Sequence, residues 1–287
     1  MNLIDGKKIA QDIKNELPAR VQALKAQGVV PGLATILVGD DPASHVYVAS
    51  KIKACAELGL KSFNYNLKNT SKENDIIKLI EELNNNKEVH GILLQIPLPK
   101  GLSSDVCIAS ISPRKDIDGL HPESIGQFVG AKSWEEIEKK KLFIPCTPLG
   151  IVSLLLKYNI EVSGKNAIVI GRSNLVGKPI AMLLLSLNAT VTIAHSKTKD
   201  IEGLCKQADI IVAAIGRQRY VNEKFVKPGA VIIDVGINRT DNGICGDVDF
   251  DKVKDIASYI TPVPGGVGRM TIAMLMNNTI LAAEKSL

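Results

Sequence analysis

The chain has 287 residues, 45% of them hydrophobic, enough for roughly two domains with cores of their own. A net charge of +5 is mild, the 35 basic residues are dispersed, and aromatics are only 4%, so the basic stripe with stacking aromatics of a nucleic-acid binder is not indicated.

In chain order, a helical pattern at about 5–27 comes first, and Pro18 inside it is expected to kink or split it. Strand candidates "LATILVG" (33–39), "KSFNYNL" (61–67) and "GILLQIP" (91–97) follow, with helical patterns between them. In one of these, Asp41-Pro42 starts the helix and Gly59 stops it. The stretch from Ile117 to Lys141 is less regular and ends in the solvated charge run "WEEIEKKK". A new apolar helix then begins in "PCTPLGIVSLLLKYN", with Thr147 as N-cap and Pro148 at its first position.

The second half reads as strands "NAIVIG", "ATVTIAH", "DIIVAAIG", "AVIIDVG" and "SYITPV", nearly uninterrupted apolar runs of the kind buried on both faces of a parallel sheet. A last helix covers about 270–285. Strands alternating with helices throughout define an α/β fold.

Cys55, Cys107, Cys146, Cys205 and Cys245 include no C-x-x-C pair, so buried free thiols in a reducing compartment are expected. "MNLIDGKKIA" has no apolar signal core, and no run reaches the ~18 apolar residues that span a bilayer. A soluble, cytoplasmic protein with no membrane partner is expected.

"AIVIGRSNLVGKP" runs from strand through a turn at Gly171 to a helix opening at Gly177-Lys178-Pro179, an arrangement that offers unpaired N–H groups to a phosphate. Glycine there also serves a tight turn with no ligand. The next strand ends "IAHSKTK", where NAD-selective folds place a carboxylate on the ribose. His195, Ser196 and Lys197, with Arg172 nearby, instead suit a 2′-phosphate and hence NADP; an ordinary basic surface loop is the plainer alternative. "IIDVGIN" and "TPVPGGVG" put further glycine-rich turns after later strands. There Gly265-Gly266-x-Gly268 allows close backbone approach to a flat ligand or to another segment.

In the first half, Tyr47 and Lys51 stand four apart on one helix face and can do general acid–base work. A snorkelling lysine beside a half-buried tyrosine has the same spacing. Gln95 interrupts "GILLQIPLP" at a strand's end, where a neutral amide orients a lysine or simply faces solvent. Asp118 in "PRKDIDGLHP" is a turn residue or a carboxylate for the paired N–H donors of a heterocycle. Asp116, Asp118 and His121 do not match a calcium loop, and no metal is expected.

Taken in order, "YVASK", "GILLQIPLP", "KDIDGLHP", "PCTPLG", "GRSNLVGKP", "TVTIAHSKT", "DVGIN", "GDVDF" and "TPVPGGVG" resemble the bifunctional methylenetetrahydrofolate dehydrogenase/cyclohydrolase family. The resemblance implies two α/β domains flanking a cleft, the second a Rossmann-like doubly wound parallel sheet binding NADP, and a homodimer acting on a folate. It divides the chain into 1–146 with 271–287 for substrate and 147–270 for cofactor. It makes Lys51 catalytic, supported by Tyr47 and tuned by Gln95. Asp118, Pro264, Gly265 and Gly266 contact substrate with these three, and Gly171, Arg172, Ser173, Ser196 and Ile237 contact NADP. Hydride leaves the methylene carbon for the nicotinamide, water attacks the resulting methenyl carbon, and Lys51, neutral in the complex, assists the proton transfers.

Two departures bear on this likeness: Arg269 stands where the family has proline in "PGGVGPMT", and "GRQRYV" replaces a loop that usually carries Pro-Gly. They leave open an enzyme that keeps one of the two activities, or a silent NADP-binding sensor. Short-chain dehydrogenases also use Tyr and Lys four apart, but they place the dinucleotide turn upstream of that pair, the reverse of the order here.

Overall fold

Strands and helices alternate from end to end of the computed structural model, which describes residues 2–241 and 243–287. The elements are β1 (Asn2–Leu3), α1 (Gly6–Ala26), β2 (Gly32–Val38), α2 (Pro42–Leu58), β3 (Lys61–Leu67), α3 (Glu73–Asn85), β4 (Gly91–Leu94), α4 (Ser104–Ala109), α5 (Pro122–Val129) and α6 (Trp134–Lys139). They continue with α7 (Cys146–Lys157), β5 (Asn166–Ile170), α8 (Gly177–Ser186), β6 (Thr190–Ala194), α9 (Ile201–Gln207), β7 (Ile210–Ala213) and β8 (Val231–Asp234). Last come β9 (Asn238–Thr240), β10 (Gly243–Cys245), α10 (Phe250–Val253), β11 (Tyr259–Ile260) and α11 (Val267–Glu284).

The chain divides into two compact units, one of residues 1–12, 129–140 and 145–273, the other of 13–128, 141–144 and 274–287. The second unit holds a parallel three-stranded sheet in the order β3-β2-β4. β2 is central and buried at every residue, as an apolar run flanked on both sides requires. Ile76, Ile80 and Leu83 of α3 close one core against Ala34, Ile36, Ile92 and Leu94. α2 starts where Asp41 accepts the Ser44 N–H at 2.8 Å and stops at Gly59, whose φ of 69° is left-handed.

The first unit is built on a parallel sheet in the order β1-β11-β8-β7-β5-β6, so strand order reverses at β5. That is a doubly wound sheet, with its switch point beside β5. Its core packs Ile168, Ile170, Ile211 and Ile232 against Val221, Phe225 and Val253.

Four details differ from the sequence reading. Pro18 does not split its helix: α1 runs unbroken, because buried Leu17, Val21 and Leu24 hold the turns on either side of the lost N–H bond. β6 is not buried on both faces; it is an edge strand with alternating exposure. α7 begins at Cys146, and the Thr147 hydroxyl, instead of capping it, lies 2.9 Å from that of Thr271. β4 ends at Leu94, so Gln95 lies just beyond the strand, although its N–H still donates to Ile36 at 2.9 Å. Cys55, Cys107, Cys146 and Cys205 are buried free thiols and Cys245 is partly exposed. Burial pushes the Cys55 thiol up to about 11 and the Cys205 thiol to about 12. Among the described residues, no helix is long and apolar enough to cross a membrane.

Candidate active site

In the second unit, α2 carries Lys51 to a position only 8% exposed, while Tyr47, one turn earlier, is 39% exposed. The Lys51 Nζ donates to Gln95 Oε1 at 2.8 Å, and Gln95 Nε2 donates to the Ile96 carbonyl, also at 2.8 Å. The amide is thereby fixed with its oxygen toward the lysine. Two residues drawn from separate motifs, one on α2 and one after β4, meet head to head. A buried amine held by a neutral acceptor is equipped to exchange a proton.

Asp118 is half-buried on the loop after β4. Its neighbour Asp116 shapes that loop: it is 1% exposed and accepts the N–H groups of Leu120 (3.1 Å) and His121 (2.8 Å). Burial raises the Asp116 pKa above the usual carboxylate range, against the lowering effect of the Ser124 and backbone hydrogen bonds. Asn278 of α11 ties the loop down through the Ile117 carbonyl at 2.9 Å.

In the first unit, a cavity of about 320 Å³ opens at the carboxyl ends of β5, β6 and β7, beside the switch point. Its lining brings together Gly171, Arg172, Ser173, His195, Ser196 and Arg217. Gly171 has a φ of 127°, and a Cβ there would overlap the Ala214 carbonyl oxygen, so only glycine lets the turn pack on the neighbouring strand. Two guanidinium groups and two serine hydroxyls, with no carboxylate in the lining, suit a phosphate-bearing ligand.

The turn works differently from the sequence expectation. The N–H groups at the start of α8 are not left unpaired: Val176 and Gly177 donate to Ser173 Oγ at 3.2 Å each, and Lys178 to the Ser173 carbonyl at 3.0 Å. Ser173 thus closes the helix end, and anion contacts fall to the turn itself. Lys197 does not line the cavity; its N–H instead donates to His195 Nδ1 at 3.2 Å, tightening the turn after β6. Ile237 also stands apart from this cavity. Its Cδ1 lies 3.4 Å from where a Gly268 Cβ would be, which brings the "DVGIN" turn against the start of α11. Pro264, Gly265 and Gly266 precede that helix, with the Gly265 carbonyl accepting the Lys7 N–H at 3.0 Å. Arg269 is exposed in the first turn of α11.

Residues 4–118 match the model of the tetrahydrofolate dehydrogenase/cyclohydrolase catalytic domain, and residues 145–287 that of the NAD(P)-binding domain of the same family. The bifunctional protein FolD of Campylobacter concisus is 52% identical over 99% of this chain and 98% of its own length. The chain belongs to the tetrahydrofolate dehydrogenase/cyclohydrolase family. Among solved structures, the FolD methylenetetrahydrofolate dehydrogenase/cyclohydrolase of Campylobacter jejuni superposes with a TM-score of 0.95 at 48% identity, covering all of both chains. The Trypanosoma brucei enzyme, solved with NADP and an inhibitor, superposes with a TM-score of 0.91 at 35% identity, covering 99% of this chain and 97% of that one.

For a tetrahydrofolate dehydrogenase/cyclohydrolase, two groups that sequence reasoning missed stand out. Arg217 lines the nucleotide cavity from within "GRQRYV", its guanidinium 4.7 Å above the Tyr220 ring. Asp247, fully buried, holds that loop in place: it accepts the N–H groups of Ile215 (2.7 Å), Gly216 (2.9 Å) and Arg217 (2.8 Å), and Asn238 Nδ2 at 2.9 Å. Asp234, at the end of β8, accepts the N–H groups of Gly236, Asp247 and Val248, each at 2.9 Å. Burial pushes the Asp234 carboxyl up to about 7, offset by those three hydrogen bonds and reinforced by Asp247. The sequence signal was "GDVDF", an acid between glycine and an apolar residue outside any strand.

Proposed function

We propose that the chain oxidises methylenetetrahydrofolate to methenyltetrahydrofolate with NADP, then hydrolyses the product to formyltetrahydrofolate. The observation that carries this reading is the buried Lys51–Gln95 hydrogen bond within a chain of this family.

Arg172, Ser173, Ser196 and Gly171 hold NADP in this reading, joined by Ile237 on the neighbouring turn, and Arg217 adds a second guanidinium at the cavity wall. Positive charge in the place of a ribose-binding carboxylate favours NADP over NAD. NADP supplies a hydride acceptor for the methylene carbon of the folate.

The chain's own part begins with orientation. Asp118 accepts the paired N–H donors of the pterin, and Tyr47, Pro264, Gly265 and Gly266 contact the folate. Lys51, kept neutral in the complex by burial, does not repel the methenyl cation that hydride loss leaves. Water adds to that carbon, Lys51 Nζ takes a proton, and a folate nitrogen receives one as the ring opens. Gln95 keeps the Lys51 nitrogen pointed and adds no charge.

Residues 1–146 with 271–287 form the folate portion in this proposal and 147–270 the nucleotide portion. The protein works as a homodimer in the cytoplasm and takes no nucleic-acid partner, in line with the family resemblance and the dispersed basic residues. Mixing the protein with methylenetetrahydrofolate and NADP, and following NADPH and the methenyl species together, tests the main reading. NADPH rising without methenyl build-up beyond its spontaneous decay is the expected result. Methenyl rising in step with NADPH means that only the dehydrogenase is retained, and no NADPH from folded protein sinks the reading. Light scattering at micromolar protein checks the dimer.

A further inference from the structure

At the amino ends of β2 and β4, a groove of about 930 Å³ lies wholly within the second unit. Its charged lining residues are Lys87, His90, Arg114, Lys115, Lys285 and a single carboxylate, Glu123. Four residues of β4, roughly 13 Å of strand, separate it from Gln95 at the other end. It is therefore not part of the Lys51 site.

Ordinary structural roles account for some of these groups. Lys115 Nζ donates to the carbonyls of Leu83 (2.9 Å) and Asn86 (2.7 Å) and so closes the end of α3. His90 Nδ1 accepts the Gly32 N–H at 3.1 Å and fixes the entry to β2. The others are not accounted for in this way. Lys87 and Arg114 have no hydrogen-bonding or carboxylate partner for their heads among the described residues, and Lys285 Nζ meets only the Phe143 ring, 4.6 Å to its centroid. The one acid, Glu123, is engaged with Gln127 Nε2 at 3.0 Å.

The cations also crowd one another. His90 is held below its ordinary pKa by burial and by the charges of Lys115 and Lys61, and Lys285 below its own by desolvation and by Lys141. Lys87, Arg114 and Lys285 carry charge with no paired carboxylate among the described residues, and an anion in the groove complements it. Of the apolar residues beside the charges, Val89 and Phe143 are nearly covered, at 1% and 5% exposed, and Val29 is half-buried, so the accessible character of the groove is cationic. The volume matches pockets that take drug-sized ligands, roughly 300–1,000 Å³.

We propose that this groove binds a small polyphosphorylated molecule, with its phosphates on Lys87, Arg114 and Lys285. The test is calorimetric titration of the full chain with ATP and with inorganic tripolyphosphate, NADP being saturating so that the dinucleotide cavity is filled. ATP and tripolyphosphate each bind with a micromolar Kd. The Arg114→Ala/Lys285→Ala variant weakens both at least tenfold. Both sites of the double variant are exposed, and an unchanged melting temperature establishes that it is folded. No heat with either probe, or undiminished binding by the double variant, overturns the proposal.

Discussion

The backbone N–H of Asp247 donates to the Asp234 carboxylate at 2.9 Å, so one buried acid holds the residue whose own carboxylate gathers the Ile215–Arg217 loop. Because the folded pKa of Asp234, about 7, lies above its unfolded value, the folded state binds the extra proton between the two. The stability associated with that proton is present at low pH and is lost as pH rises from about 4 to about 7, by a few kcal/mol at most. Denaturant unfolding of wild type and Asp234→Asn from pH 5 to 8 checks this: the difference between them changes across the window and flattens above it. His90, whose pKa is lowered, acts with the opposite sign below its unfolded value, and the subtraction removes it. A pH-independent difference would refute the assignment.

Asp247→Asn replaces an acceptor oxygen with an amide that cannot accept from the Ile215 and Gly216 N–H groups. Leaving buried donors unpaired costs about 1–3 kcal/mol. The loop carrying Arg217 then loosens, and NADP binding weakens roughly tenfold to a hundredfold. Fluorescence titration of NADPH measures it, and the kcat at saturating NADP should change far less than the KM. An equal loss in kcat would place Asp247 in the chemistry instead.

Lys51→Met removes the proposed proton acceptor but keeps the length of the stem. Hydrolysis of methenyltetrahydrofolate falls by about a hundredfold or more, while NADPH binding is unaffected. Gln95→Glu sets a carboxylate against the ammonium, favours the charged lysine, and moves the rising limb of the hydrolysis pH profile to higher pH. A profile identical to wild type rejects the tuning role of Gln95.

Arg172→Ala and Arg217→Ala separate the two cofactors. Losing a charge-assisted contact to a 2′-phosphate costs about 1.5–3 kcal/mol, so kcat/KM with NADP drops about tenfold to a hundredfold, and that with NAD little. Equal losses with both cofactors would mean that the arginines contact something NAD also carries.

Gly171→Ala puts a side chain at a φ of 127° and against the Ala214 carbonyl. The turn must shift, and NADPH binding is lost together with several degrees of melting temperature. A variant binding NADPH normally would show that the turn does not form the cradle.

Much of this was legible from residue order alone. Asp41-Pro42 and Gly59 mark α2 because caps are local chemistry, and the run "KSFNYNL" coincides with β3 from Lys61 to Leu67. The meeting of Lys51 and Gln95 was readable as two candidates, but their hydrogen bond was not, since periodicity says nothing about which elements become neighbours. β6 was misread for the same reason: "ATVTIAH" looks like a central strand, and only strand order reveals it as an edge. Ser173, expected among the NADP contacts, also turns its hydroxyl to the start of α8, a second role that sequence does not reveal. Asp247 lay within the motif "GDVDF", but its role was not legible, because its partners come from loops about ten and thirty residues away.

The pairing of β1 with β11 has a consequence for biogenesis. Asn2 and Leu3 register with Tyr259 and Ile260, a contact that spans most of the polypeptide. On the ribosome, these first residues must wait until nearly everything else has been translated, with residues 13–128 free to begin collapsing in between. β1 thus finds its partner only after β11 has been made, whereas the unit carrying Lys51 need not wait for that pairing.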